Sequence, residues 1–317
     1  MRIRFRRVGI TLIETLVVIA IVSILLGLVL VAVQQSREAA RKLSCFSNMR
    51  QVALAIHSYE SQYRCIPSSA GNGFSFHCRL LPFCEEQSRY THLDFSRHLN
   101  SQSVALPLEI RRVPRYLICP SDPDTNHPHN HLSTNFVGIA GGGINGDYNG
   151  VIVPAGLVGG RLALASVSDG TSNTLLLAET SSFELDGFSA NDIRTHLDSS
   201  ATFASSRYFE LPNAFSEFVE ECFSERPLRA MATSNLGGNW MEASIGMNSF
   251  TCIFPKQRRN CGNDSGLGKS LIAPVRNHVG VFSVSFVDGS DRRFSDSIDN
   301  EIWRAMGTRA GGEVVSY

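Results

Sequence analysis

From residue 10 to residue 33 the chain reads ITLIETLVVIAIVSILLGLVLVAV, apolar almost throughout, with Glu14 as its only charge. A helix of about 20 residues spans a bilayer core of roughly 30 Å, so this stretch is long enough to cross one. Beyond it the pattern turns from continuous to periodic. Ala39, Leu43, Phe46, Ala53, Ile56 and Tyr63 recur at spacings of three, four or seven, with Arg37, Glu38, Arg41, Lys42 and Arg50 between them. That is an amphipathic stripe, and no Gly or Pro interrupts it between Gly27 and Pro67. The pattern predicts one helix from about residue 10 to 63, roughly 80 Å long, whose second half is a spine against a folded head.

At Pro67 the texture changes. All 12 prolines lie at or after this position, and the apolar runs become short, broken by Gly, Pro, Asn, Asp and Ser. This is β-rich, loop-rich material. Strands are predicted at 151–153, 174–179 and 281–287, the last with Phe282, Val284 and Phe286 on one face and Ser283 and Ser285 on the other. Asp288-Gly289 predicts a two-residue hairpin turn into 290–294. A short helix over 298–306 buries Ile302, Trp303 and Met306 before Gly307 ends it. Residues 181–275 carry no assignable pattern.

Composition narrows the class. The 29 basic and 29 acidic residues cancel, 43% of the chain is hydrophobic and 18% charged. With a mean hydropathy of -0.03, a polytopic membrane protein is excluded, as are a disordered polyelectrolyte and a strongly basic nucleic-acid binder. The balance is uneven along the chain. Arg2, Arg4, Arg6 and Arg7 precede the apolar run and Glu14 is the only acid before residue 34, leaving 25 basic against 28 acidic residues beyond it. Basic flanks stay cytoplasmic, which places the amino terminus inside and the slightly acidic body outside; no nucleic-acid partner is expected. The run exceeds the roughly 7–15 residues of a secretory signal, and Ala32-Val33-Gln34 is a poor cleavage site. Glu14, five residues into the run, costs about 2.5–3.5 kcal/mol at a membrane centre and somewhat less near an interface, so it calls for a partner.

The residues Arg6-Arg7-Val8-Gly9-Ile10-Thr11-Leu12-Ile13-Glu14 resemble the amino-terminal signature of type IV pilin and type II secretion pseudopilin precursors: a basic leader, Gly, an apolar residue, Thr-Leu-Ile-Glu and an unbroken apolar helix. The resemblance implies cleavage after Gly9 by a prepilin peptidase and methylation of the new terminus at Ile10, which stands where Phe is usual. It also implies that Glu14 meets the terminal amine of a neighbouring subunit in a filament.

A second resemblance covers nearly the whole chain. Cys45 with Asn48-Met49-Arg50-Gln51, Leu80-Leu81-Pro82-Phe83 with Glu85-Glu86-Gln87, and Cys119-Pro120-Ser121-Asp122-Pro123 come first. Asp169-Gly170-Thr171-Ser172-Asn173-Thr174 with Glu179, and His278 followed after nine residues by Asp288-Gly289-Ser290, complete the set. Together they resemble the prepilin-like family with a processing-associated H-X9-DG domain, DUF1559; Val279 stands where Pro is common. The two resemblances imply an α+β, pilin-like fold in which a long N-terminal α-helix packs on an antiparallel β-sheet head with long loops. The expected segments are a leader (1–9), a transmembrane helix (10–33), an amphipathic spine (34–66) and the head (67–317). A single-pass, non-enzymatic protein of the inner (cytoplasmic) membrane is expected, head periplasmic or at the cell surface, with prepilin peptidase, other pilin-like subunits and the membrane as partners. The alternative is a non-assembling cell-surface binding protein that uses the signal only for export and anchoring.

The head offers several groups to weigh. His278 and Asp288 would lie about 33 Å apart on one straight strand, so a catalytic pair needs a fold-back, and no Ser or Cys nucleophile accompanies them. A structural hydrogen-bonding role is the better reading. Asp169, Gly170, Ser172 and Asn173 form an oxygen-rich turn that could hold calcium, though side chain to backbone bonds explain it more simply. Otherwise no cofactor is expected. Gly141, Gly143 and Gly146 spell a dinucleotide fingerprint without the helix it requires. His127, His129 and His131 alternate, and are weak metal candidates beside the reading of a polar loop. Eight cysteines in an oxidising compartment permit four disulfides and 105 connectivities, of which the short-loop pairs Cys78–Cys84 and Cys252–Cys261 are favoured. No CxxC is present, which argues against a zinc ribbon or a thioredoxin-type site.

Overall fold

A computed structural model describes residues 11–69, 71–122, 132–141, 149–153, 161–180, 196–198, 229–230, 239–243, 248–252, 260–262, 270–271, 281–295 and 297–313. Helix α1 (Leu12–Tyr63) is the uninterrupted helix that the hydrophobic pattern predicts. Thr11 Oγ1 accepts from Glu14 N at 3.3 Å, while the Glu14 carboxylate accepts from Thr11 N at 2.8 Å and Thr11 Oγ1 at 2.9 Å. This is a capping box, so Thr-Leu-Ile-Glu encodes the first turn of the helix as well as carrying its charge. At the other end Arg64 adopts a positive φ of 56° and donates its N–H to Glu60 O, a left-handed stop of the kind that commonly ends helices.

The chain forms two compact units, Met1–Leu43 and Ser44–Tyr317. In the first, the apolar part of α1 exposes its side chains, Leu12 by 81% and Leu28 by 65%. It is long and apolar enough to cross a membrane.

The second unit begins with the remainder of α1 and continues through short helices α2 (Phe76–Leu80), α3 (Gln87–Tyr90), α4 (Leu99–Gln102) and α5 (Leu108–Arg111). Strands follow: β1 (Phe136–Gly141), β2 (Leu175–Glu179), β3 (His196–Asp198), β4 (Arg229–Ala230), β5 (Ser249–Thr251), β6 (Asn260–Gly262), β7 (Ser270–Leu271), β8 (Val281–Phe286) and β9 (Asp291–Ser295). Helix α6 (Asn300–Met306) comes last, capped by the Asp299 carboxylate, which accepts from Glu301 N and Ile302 N. The main sheet runs β5-β1-β2-β8-β9 and a second runs β4-β3-β6-β7. The result is the expected α+β head with the helix packed on a sheet. Two pairings depart from the antiparallel expectation, because β1 with β5 and β3 with β6 are parallel.

The spine buries Cys45, Met49, Val52, Ala53, Ala55 and Ile56. Ala53 and Ile56 were on the predicted stripe, but Leu43 is 65% exposed. The true face is rotated toward Cys45 and Met49, which the pattern had left out. The serine face of β8 is also not a solvent face. Ser283 pairs with Arg293 and Ser285 with Asp291 across the hairpin; the Arg293 guanidinium lies 5.1 Å from the Phe46 ring and Asp291 meets Arg50 at 3.5 Å, both partners on α1. The opposite face stacks Phe282 edge-on to Trp303 of α6 at 5.0 Å.

Two local expectations change. Residues 151–153 are not a strand but a buried bend whose Val151 and Ile152 N–H groups both reach Ile139 O. The strand at that place is β1, hidden in the sequence by Gly138, where a Cβ would lie 2.6 Å from Ile152 Cβ. The β8–β9 hairpin has a three-residue loop: Gly289 N donates to Phe286 O, Phe286 N donates to Ser290 O, and Gly289 takes φ 80°.

Candidate functional site

Three segments distant in sequence meet under the spine. Cys45 faces inward from the middle of α1, Glu179 ends β2, and Cys119 follows the 3-10 turn Arg115–Leu117. The two sulfurs stand 3.3 and 3.4 Å from the same oxygen, Glu179 Oε1, each thiol donating to it. All three residues are buried, at 1%, 0% and 0% exposure. The hydrogen bond with Cys119, burial and the Glu179 charge together push the Cys45 thiol up, so it is held as S–H.

The neighbouring backbone is pinned on every side. Asn48 Nδ2 donates to Ile118 O at 2.8 Å, tying the turn before Cys119 to α1. Asn135 Oδ1 accepts from Cys119 N at 2.7 Å, and its amide donates to Thr180 O at 2.8 Å and to the Asp122 carboxylate. Thr180 N returns a bond to Asn135 O at 2.8 Å. One asparagine thereby fixes both the Cys119 loop and the residue after Glu179.

The two Asp-Gly turns also come together. Asp288 N donates to Thr171 O and Val287 N to Thr174 O, joining the Asp288-Gly289 hairpin to the 169–174 turn. Inside that turn Asn173 Nδ2 donates to Asp169 O and Thr174 Oγ1 to Gly170 O, and Gly170 takes φ 97°. The Asp169 carboxylate accepts from Gly311 N at 2.6 Å, Gly312 N at 2.9 Å and Thr308 Oγ1 at 3.2 Å. Asp169 is therefore a clamp on the segment after α6. Ser172 lies within the same turn.

His77 is fully buried; its Nε2 lies 2.9 Å from Phe136 O, an oxygen that only accepts, so Nε2 carries the proton. Burial pulls its pKa down to about 3. A surface cavity of about 910 Å³ opens beside the Cys119 loop, lined by Asn48, Gln51, Glu86, Arg112, Arg115 and Tyr116 among others.

Cys78 and Cys84 are not joined to each other in this structure. Cys78 is a buried free thiol near Ser75 Oγ and Met241 O, and burial raises it to about 12. Cys84, also free, is raised to about 11 by burial and lies against Tyr116. Cys252 is free as well, at the end of β5 in the main sheet, whereas Cys261 belongs to β6 in the other sheet. Gly9, Ile10, His127, His129, His131 and His278 lie outside the described residues. The convergence of Cys45, Cys119 and Glu179 was missed; each stood in a motif segment, but no spacing rule relates residues on a helix, a loop and a strand.

A helix long and apolar enough in its first half to cross a membrane, continued by a spine packed on a sheet head, makes an α+β architecture that fits a pilin-like, membrane-anchored protein. The chain belongs to the family described as protein of unknown function DUF1559, which matches residues 34–301. No curated protein and no solved structure matches it.

Proposed function

We propose that the protein is a pilin- or pseudopilin-like structural subunit that a prepilin peptidase cleaves after Gly9 and methylates at Ile10. It is held in the inner membrane by residues 10–33, with the head on the outer side, and joins other pilin-like subunits through the same helix in a type II secretion or type IV pilus-like filament. The observation that carries this reading is the exposed apolar half of α1 with a single carboxylate, Glu14, in its first turn. In a bilayer that charge is costly unless a cation meets it. The free amine that cleavage creates on a neighbouring subunit is such a cation, and helix-to-helix packing in a filament brings it near. The proposal gives the head no catalytic step.

The cavity beside Arg112 and Arg115 favours a second reading, a surface binding protein that is anchored but does not assemble. Replacing Glu14 with Ala separates the two. Filament incorporation, read by cross-linking between subunits in intact cells, should fall at least tenfold while the chain still reaches the membrane. Unchanged cross-linking would exclude Glu14 from assembly.

A further inference from the structure

The three buried groups beneath the spine are matched to one another more closely than packing requires. Cys45 Sγ, Cys119 Sγ and a Glu179 carboxylate oxygen all lie within 4.8 Å of one another. We propose that they form a binding site for a soft-tolerant divalent ion of the zinc class, which fastens the spine helix to the sheet and to the Cys119 loop. The inference stands whether or not the chain assembles into a filament.

Geometry is the first argument. With metal–sulfur bonds of about 2.3 Å and metal–oxygen bonds of about 2.1 Å, a tetrahedral site places sulfur and oxygen about 3.6 Å apart and the two sulfurs about 3.8 Å apart. The observed sulfur to oxygen distances are 3.3 and 3.4 Å, so shifts of a few tenths of an ångström admit the ion. Two thiolates and one carboxylate are a donor set that suits zinc, and three protein ligands leave the fourth position to a further donor.

Charge is the second. Binding follows M²⁺ + 2 RSH + RCOO⁻ → [M(SR)₂(OOCR)]⁻ + 2 H⁺. Two neutral thiols with one carboxylate carry the same single negative charge as two thiolates and a carboxylate around a divalent cation. Loading therefore adds no buried charge. A Cys45–Cys119 disulfide would instead remove both S–H donors from Glu179 Oε1, a carboxylate at 0% exposure, and such a loss is expensive.

Preorganisation is the third. Metal sites rely on outer hydrogen bonds that fix their ligands. Here Asn48 holds Ile118 O, and Asn135 holds Cys119 N, Thr180 O and the Asp122 carboxylate. Cys45 and Glu179 stand on a helix and on a central strand of the main sheet. The ligands need little reordering before an ion arrives.

The test uses the full chain extracted from its membrane in detergent under anaerobic conditions. Elemental analysis should find about one zinc per chain. Exchange for Co²⁺ should produce the near-ultraviolet thiolate-to-cobalt charge-transfer band, at least halved in Cys45→Ser and in Cys119→Ser and absent when both are replaced. Glu179→Gln should retain the band and weaken zinc binding by about 10- to 100-fold. Because two protons leave, affinity should fall about 100-fold for each unit drop in pH. The wild-type chain decides the matter if the serine variants do not fold. A wild-type chain that takes up no stoichiometric metal after reduction, or whose peptide map shows Cys45 joined to Cys119 as isolated, overturns the proposal.

Discussion

His77 shows how one residue reads the solvent from inside the core. Its folded pKa, about 3, lies below the unfolded value of about 6.5, so between these limits the unfolded chain binds a proton that the fold refuses. The stabilisation from neutral His77 is complete above pH 6.5 and is lost as pH falls toward 3, at about 1.4 kcal/mol per unit. Denaturant unfolding should show a loss of about 2 kcal/mol between pH 7 and 5, and His77→Phe, which keeps a ring in the site, should flatten that slope. Equal stability of the wild type at both pH values would contradict the burial argument. Asp169 makes a different kind of demand. Its carboxylate holds two backbone N–H groups and a hydroxyl of the terminal segment, so Asp169→Ala should cost about 1–3 kcal/mol. Limited proteolysis should then cut after α6 before the rest of the head. Gly170, Gly289 and the Asp residues of both turns were legible in the sequence because turn chemistry is local. The thiol–carboxylate cluster was not, since its members come from positions 45, 119 and 179.

At the scale of elements, α1 is legible nearly to the residue, because its single Gly, Gly27, sits in a continuous apolar run and neither Gly nor Pro follows before Pro67. Its buried face was read less well. Leu43 is exposed and Met49 buried, and only the sheet beneath decides which of two adjoining faces is covered. The difference is measurable. Met49→Ala removes a side chain at 0% exposure and should cost about 2–5 kcal/mol. Leu54→Ala, on the same helix but 58% exposed, should stay within about 0.5 kcal/mol of wild type. Comparable losses at both positions, by thermal unfolding, would mean that the packed face is wrongly placed. Strand β8 was legible through its alternation and β2 through its apolar run. Strand β1 was not, because Gly138 makes room for Ile152, and a close approach between segments leaves no periodic trace.

For the whole molecule, the neutral charge total conceals a division of labour. A basic amino-terminal segment precedes an apolar helix with one acid, and a mildly acidic body follows. The head supplies its own core around Trp240, Trp303, Phe136 and Phe250, while the apolar half of α1 keeps its large side chains exposed among the described residues. A bilayer or neighbouring helices of the same kind are the environments that satisfy it. Processing at Gly9 is the event on which the assembly reading turns, because it makes the amine that Glu14 needs. Mass spectrometry of the chain purified from its own membrane tests this most directly. The account expects an amino terminus at Ile10 carrying one added methyl group; an intact Met1, or a terminus near residue 34, would contradict it.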